Sequence, residues 1–179
     1  MRAFTIGHST HPLETFAALL AEHRVERVAD VRRTPRSSRH PHFNLETLAG
    51  ELAQRAIDYR HLPALGGRRR ASPGSPNGGW EHPAFRGYAD YALTDEFAAG
   101  LAELCALAEE RPTAAMCAEA PWWRCHRRLI ADRLTALGWT VCHIASDGGL
   151  AEHELPPFAV VTADGTVTYP PAQGALPGL

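Results

Sequence analysis

The chain has 179 residues and a mass of 19.5 kDa, the size of one ordinary domain. Hydrophobic residues make up 45% of it and charged residues 21%, which excludes a fibrous, collagen-like or wholly disordered chain. No apolar run approaches the roughly 20 residues of a membrane span, no signal peptide is visible, and four cysteines are too few for a disulfide scaffold. We therefore expect a cytoplasmic protein with free thiols and no membrane partner.

The arginines of this chain are unevenly distributed. All 18 basic residues are arginines: residues 1–70 hold 12 of them with 7 acidic residues, and residues 71–179 hold 6 with 13 acidic residues. A guanidinium group binds phosphate or carboxylate through a planar pair of hydrogen bonds. A GC-rich genome would explain the absence of lysine, but not why the arginines concentrate in the first half. The asymmetry favours an anionic small molecule or a nucleic acid as partner.

Strands and helices are predicted to alternate along the chain. Short apolar segments predict strands at residues 2–6, 25–31, 57–61, 113–116 and 140–144. Apolar residues with helical spacing predict helices that open near residues 9–12, 44, 85, 94 and 123. Residues 158–162 and 166–169 flank an Asp-Gly turn, which predicts a β-hairpin.

This order of elements predicts the α/β class, as a single Rossmann-like three-layer domain with a mostly parallel sheet of about five strands plus a C-terminal β-hairpin. We assign residues 1–150 to the α/β domain that carries the polar site. Residues 151–179 are expected to form the hairpin and a frayed tail of the same domain. Ligands of such sheets bind beyond the carboxyl ends of the strands, so the residues that follow each strand are the candidate site.

Polar or small residues follow the first four predicted strands. The candidates for catalysis all follow the fourth strand and are Cys117, Glu119, Cys125 and His126. The candidates for substrate binding follow all four strands and are Gly7, His8, Ser9, Asp30, Arg32, Arg33, Gly66, Gly67 and Arg127.

Six short motifs occur in a specific order: TIGHS at 5–9, DVR at 30–32, LGG at 65–67, FRGYADYA at 85–92, MCAE at 116–119 and CHR at 125–127. In this order they resemble the domain of unknown function family number 488, over roughly residues 3–145. The resemblance implies a single α/β domain with a shared polar site. It carries no biochemical activity over to this chain.

The two candidate cysteines suggest nucleophilic chemistry. Cys125 is predicted near a helix N-terminus, a position that lowers the pKa of a thiol. Cys117 follows a buried strand, where core packing explains a cysteine equally well. Glu119 or His126 would serve as the general acid or base.

Two other groups are candidates for holding an anion in place. His8 and Ser9 are expected to donate to a phosphate at a helix N-terminus, although they explain a simple helix cap equally well. Asp30 is expected to hold Arg32 or Arg127 in position, or to form a structural salt bridge.

Zinc is an alternative reading of the cysteines. Cys117, Cys125, His126, His143 and Glu119 are all admissible ligands, but the spacing of Cys117, Cys125 and His126 is not that of a usual zinc motif. Adjacent residues on a helix also point about 100° apart, which argues against joint coordination by Cys125 and His126. We therefore expect no metal and no cofactor.

These observations favour a small enzyme, a hydrolase or transferase, acting on a phosphorylated, nucleotide-like or nucleic-acid substrate. One alternative is a non-catalytic nucleic-acid-binding protein that uses its arginine loops and stacks bases on Trp80, Trp122 and Trp123. Another is a cysteine-based metal or redox sensor. The sequence leaves the oligomeric state open.

Overall fold

The structure is a computed structural model, and it describes residues 1–172. Its helices and strands are, in chain order, β1 (Arg2–Gly7), α1 (Leu13–Glu22), β2 (Arg27–Asp30), α2 (Leu45–Ala53), β3 (Asp58–His61), α3 (Pro83–Tyr91), α4 (Asp95–Glu110), β4 (Thr113–Cys117), α5 (Arg127–Ala136), β5 (Thr140–Ile144), β6 (Leu150–Glu152), β7 (Val160–Val161) and β8 (Val167–Thr168). Short 3-10 turns occur at Pro41–Phe43, Pro63–Leu65 and Trp122–Arg124.

Six strands form one sheet in the order β3-β2-β4-β1-β5-β6, in which β6 is antiparallel to β5 and the other pairs are parallel. Strands β7 and β8 form a separate antiparallel hairpin. The predicted α/β fold with a mostly parallel sheet and a C-terminal hairpin is therefore confirmed.

Helices cover both faces of the sheet, and the alternation of side chains along β4 shows how the layers meet. Ala114 and Met116 pack with residues of α1 and α2, whereas Ala115 and Cys117 pack with residues of α3, α4 and α5. Because successive side chains of a strand point to opposite faces, Cys117 lies on the α5 side of the sheet.

The structure differs from the sequence-based expectation at two elements. The helix expected from residue 123 begins at Arg127, because residues 122–124 form a 3-10 turn and Cys125 is extended. Strand β6 was not predicted, since its residues are exposed and show no apolar alternation. Residues 173–179 of the predicted frayed tail lie outside the described residues. Within residues 1–172, no helix has the length and apolar character that a bilayer crossing requires.

Candidate functional site

The carboxyl ends of β1, β2 and β4 meet at one edge of the sheet. Gly7 lies opposite Cys117, and Asp30 lies opposite Met116. A pocket of about 1180 Å³ opens at this edge. Among the predicted site residues, those that line it are His8, Ser9, Arg32, Arg33, Gly67, Cys117, Glu119, Cys125 and His126.

Two thiols and one imidazole form a compact group, the thiol–imidazole cluster, which consists of Cys117, Cys125 and His126. Nδ1 of His126 lies 3.6 Å from Sγ of Cys125 and 4.0 Å from Sγ of Cys117. On the far side of the ring, Nε2 lies 3.0 Å from the carbonyl oxygen of Val31. That oxygen can only accept a hydrogen bond, so Nε2 carries a proton and Nδ1 is the ring nitrogen that faces the two sulfurs. The cluster is the group within residues 1–172 that could hold a metal ion.

The backbone at Cys125 explains how two adjacent residues reach the same point. Cys125 has φ −120° and ψ 150°, extended values, between the 3-10 turn at Trp122–Arg124 and the start of α5. The expectation that Cys125 and His126 share a helix and point apart is therefore wrong. The extended residue turns the Cys125 side chain toward Cys117 on β4.

The two thiols of the cluster have opposite shifts in pKa. A hydrogen bond from Cys117 lowers the pKa of Cys125 well below its ordinary value, and His126 and Arg127 lower it further, against the effect of burial. The same bond, together with burial, raises the pKa of Cys117. Cys125 is thus the more acidic thiol of the pair, and Cys117 donates to its sulfur.

Arg127, predicted to bind substrate, is instead buried beneath the cluster, with 1% of its surface exposed. Its Nε donates to Sγ of Cys125 at 3.4 Å. Its Nη2 donates to the carbonyl oxygens of Glu119 and Ala120. Arg127 therefore holds the segment after β4 and the Cys125 sulfur, and it does not line the pocket.

Asp30 has Arg32 as its partner, one of the two that the sequence suggested. The Arg32 Nε lies 2.9 Å and 3.1 Å from the two Asp30 carboxylate oxygens, and Nη2 lies 2.5 Å from one of them. Tyr59 donates to the same carboxylate at 2.6 Å. Arg32 also donates to Nε2 of His8 at 3.2 Å and so holds the His8 ring at the pocket. The positive charge of Arg32 is neutralised by Asp30.

His8 and Ser9 do not form the helix N-terminal anion site that the sequence suggested. Their backbone N–H groups donate to the carbonyl oxygens of Cys117 and Ala118, each at 2.9 Å, and α1 begins four residues later, at Leu13. Burial and the neighbouring Arg32 lower the pKa of His8 to about 4. His8 is therefore a neutral side chain at the pocket wall.

The predicted glycines mark close contacts around the cluster. A Cβ added at Gly7 would lie 2.0 Å from the carbonyl oxygen of Glu119, and one at Gly66 would lie 2.8 Å from Cα of Arg33. One at Gly67 would lie 2.7 Å from Nδ1 of His126. These three positions allow neighbouring segments to pack closely, and of the three only Gly67 lines the pocket.

Four exposed arginines, here called the rim arginines, line the pocket: Arg33, Arg36, Arg68 and Arg124. Within residues 1–172 their guanidinium groups form no salt bridge with a carboxylate. Glu119 is the one carboxylate among the lining residues. The pocket thus combines cationic side chains at its rim with sulfur and imidazole at the thiol–imidazole cluster.

The thiol–imidazole cluster and all lining residues of the pocket except His8 and Ser9 lie within a segment that a family model recognises. The model, described as "Domain of unknown function DUF488", matches residues 12–134. The chain belongs to the DUF488 family. The match includes the DVR, LGG, MCAE and CHR motifs, whereas TIGHS precedes it. No curated protein and no solved structure gives a match.

A buried polar network in this DUF488 chain was not predicted from its sequence. Thr5 Oγ1 lies 2.7 Å from Nδ1 of His143, and Nε2 of His143 lies 2.9 Å from Nδ1 of His153. Asp132 accepts from Nε2 of His153 at 2.7 Å and from the Tyr169 hydroxyl at 2.5 Å. The Asp132 carboxylate can only accept hydrogen bonds, so Nε2 of His153 donates to it. Nδ1 of His153 then accepts from Nε2 of His143, and Nδ1 of His143 accepts from the Thr5 hydroxyl. Sequence reasoning missed the network because its members come from distant segments without a common motif.

The tryptophans of the DUF488 chain offer less stacking surface than the sequence suggested. Trp80 is 7% exposed and packs with the rings of Phe85 and Tyr169. Trp122 stacks on the ring of His143 at 4.0 Å. Trp123 is 54% exposed, so it is the one of the three that presents an open face.

Proposed function

We propose that this DUF488 domain is an enzyme that binds a phosphorylated, nucleotide-sized substrate in the pocket and acts on it at the thiol–imidazole cluster. The observation that carries the proposal is that the rim arginines and the thiol–imidazole cluster line the same pocket, which has a volume of about 1180 Å³. A pocket of this size suits a small molecule of nucleotide dimensions. Hydrolase or transferase chemistry fits it best.

The rim arginines supply the recognition. Guanidinium groups bind phosphate oxygens in pairs, and hydrogen bonds to charged groups are stronger than those between neutral groups. Since the four guanidinium groups make no salt bridge within residues 1–172, their charge is free for a ligand. Arg32, in contrast, is neutralised by Asp30.

The cluster supplies the chemistry. Cys117 and Cys125 provide the sulfur atoms that line the pocket, and His126 presents Nδ1 beside them. Glu119 is the candidate general acid or base, because it lines the same pocket. All four cysteines are free, and we place the protein in the cytoplasm, where reducing conditions keep thiols in that state.

The test of substrate binding is calorimetry with pyrophosphate and with a nucleoside diphosphate. Arg36→Gln and Arg68→Gln are each expected to weaken binding by about tenfold or more. Arg60→Gln is the matched control, because Arg60 lies on β3, pairs with Asp58 and is absent from the pocket. If neither ligand binds the wild type more tightly than the Arg36→Gln, Arg68→Gln double variant, the proposal is wrong.

The test of catalysis is a panel of phosphomonoesters, phosphodiesters and nucleotides. Cys117→Ser and Cys125→Ser are expected to abolish turnover of the substrate found, whereas Cys105→Ser, in the half-buried Cys105 of α4, is expected to retain it. Turnover that persists in the Cys117→Ser, Cys125→Ser double variant would remove the cluster from the mechanism.

A non-catalytic role in binding nucleic acid is the second candidate function. It is favoured by the exposed Trp123 beside Arg124, because an open aromatic face next to a cation suits a single strand. Its affinity for oligonucleotides would fall steeply with salt, since phosphate contacts release counterions. Salt-dependent binding by both the wild type and the cysteine variants, without turnover of any substrate, would establish this role instead.

A further inference from the structure

We propose that the thiol–imidazole cluster is a metal site for a thiophilic divalent cation, with Zn²⁺ as the best fit and one coordination position open to the pocket. Soft thiolates and an imidazole are ligands that zinc prefers. The inference rests on the proposed function for the role of the metal, whereas the binding itself is argued from the geometry of Cys117, Cys125 and His126.

The distances within the cluster agree with tetrahedral coordination. Zinc bonds of about 2.3 Å to sulfur and about 2.0–2.1 Å to nitrogen place tetrahedral ligand atoms about 3.5–3.8 Å apart. Nδ1 of His126 lies 3.6 Å and 4.0 Å from the two sulfurs, and the three ligand atoms all lie within 4.8 Å of one another. Small side-chain movements are enough for the three atoms to share one ion.

The surroundings orient the ligands as a metal site requires. A metal-binding histidine commonly donates its other ring N–H to a carbonyl or carboxylate, which fixes the tautomer. His126 makes this bond to the carbonyl oxygen of Val31 at 3.0 Å and leaves the Nδ1 lone pair for the ion. Arg127 donates to Sγ of Cys125 at 3.4 Å, which holds that sulfur in place.

The charges around the cluster are compatible with a dication. Two thiolates would neutralise Zn²⁺. Of the two buried arginines nearby, Arg32 is paired with Asp30, and Arg127 directs its charge to a ligand sulfur, because its Nε donates to Sγ of Cys125. All three ligand residues line the pocket, so the fourth position faces the substrate space. Three protein ligands with one open position, including the Cys₂His set, are typical of catalytic zinc. A cation there would act as a Lewis acid toward a phosphate oxygen held by the rim arginines.

The test uses the full chain, freed of metal with a chelator under reducing conditions and then titrated with Co²⁺ or Zn²⁺ alone. We expect stoichiometric binding, a sulfur-to-cobalt charge-transfer band, and displacement of Co²⁺ by Zn²⁺. Cys117→Ser, Cys125→Ser and His126→Ala should each weaken Zn²⁺ binding by more than about 100-fold. Cys105→Ser, with its sulfur on α4 outside the pocket, should bind as the wild type does. Circular dichroism of each metal-free variant separates loss of ligands from loss of fold.

Two results would overturn the inference. One is a wild-type affinity for Zn²⁺ no higher than that of the Cys117→Ser, Cys125→Ser double variant. The other is Co²⁺ binding without the sulfur band, together with a reversible disulfide between Cys117 and Cys125, which would make the pair a redox couple. The calorimetry with pyrophosphate is independent of both readouts. Zinc binding without anion binding would leave the metal site standing and defeat the proposed function, and the reverse result would defeat the metal site alone.

Discussion

Arg127 links the candidate site to the core of the domain through a single side chain. It is the largest fully buried side chain among the described residues, and it donates to Cys125, Glu119 and Ala120. Lysine cannot reproduce a planar fork of donors. We expect Arg127→Lys to lower the free energy of unfolding by about 1–3 kcal/mol in urea denaturation. Arg124→Lys, at an exposed position, should change it by less than about 0.5 kcal/mol. Equal stability of Arg127→Lys and wild type would contradict this role.

His143 makes the stability of the domain depend on pH. Burial, with His153 and Arg127, lowers the pKa of His143 from 6.5 to about 3. Between these values the unfolded chain binds a proton that the folded chain does not, so stability falls as the pH drops from 6.5 toward 3. We expect His143→Asn to be less stable than wild type at pH 7 but to lose less stability on going to pH 5. The difference in slope is at most about 1.4 kcal/mol per pH unit.

Denaturant titrations of both proteins at the two pH values measure this difference. His8, whose pKa burial lowers to about 4, contributes a slope of the same sign and leaves part of the dependence in the variant. A slope identical to that of the wild type would show that His143 takes up its proton in the folded protein.

Most residues of the site could be predicted because each follows a strand, and the sheet brings strand ends together. The sequence cannot show which of them face the pocket. Arg127 and Arg32 carry the same charge as the rim arginines, yet backbone carbonyls engage the first and Asp30 engages the second. The carbonyl oxygen of Val31, which orients His126, carries no side-chain signal at all.

At the scale of elements, apolar periodicity was sufficient for the buried strands and the amphipathic helices. It failed where hydrogen bonding alone defines the structure. Strand β6 pairs with β5 through its backbone while its side chains are exposed. The extended Cys125 interrupts what reads as a continuous helix from residue 123, and this interruption creates the thiol–imidazole cluster.

The contact between β1 and the segment after β4 is close enough to exclude any side chain at Gly7. A Cβ there would lie 2.0 Å from the Glu119 carbonyl oxygen, so Gly7→Ala must displace that segment. We expect this variant to lose about 1–3 kcal/mol of stability. Gly50→Ala is the matched control on α2, where a Cβ would meet nothing within 4 Å, and it should gain about 0.5–1 kcal/mol. Thermal denaturation compares the two, and similar effects would contradict the close contact.

At the scale of the whole molecule, the arginine asymmetry has two physical origins. Some arginines of the first half stabilise the fold: Arg27 pairs with Asp58, and Arg69 lies 3.5 Å above the ring of Tyr91. Others, among them the rim arginines Arg33, Arg36 and Arg68, face solvent. Composition predicted a cationic region, but only the fold separates the structural charges from those free to bind a ligand.

The C-terminal segment is bound to the α/β domain through Tyr169, and we propose that residues 151–172 fold together with the rest. The Tyr169 hydroxyl donates to the buried Asp132 on α5, and its ring packs with Trp80. Tyr169→Phe leaves that carboxylate with one donor fewer, so we expect a loss of about 1–3 kcal/mol. Val160→Ser, at a 48% exposed position, should change stability by less than about 0.5 kcal/mol.

Tryptophan fluorescence and far-UV circular dichroism should report one coincident urea transition in wild type and Tyr169→Phe, because a unit that folds cooperatively loses the hairpin and the sheet together. Separate transitions, with the dichroism midpoint unchanged by Tyr169→Phe, would make the C-terminal segment an independent unit.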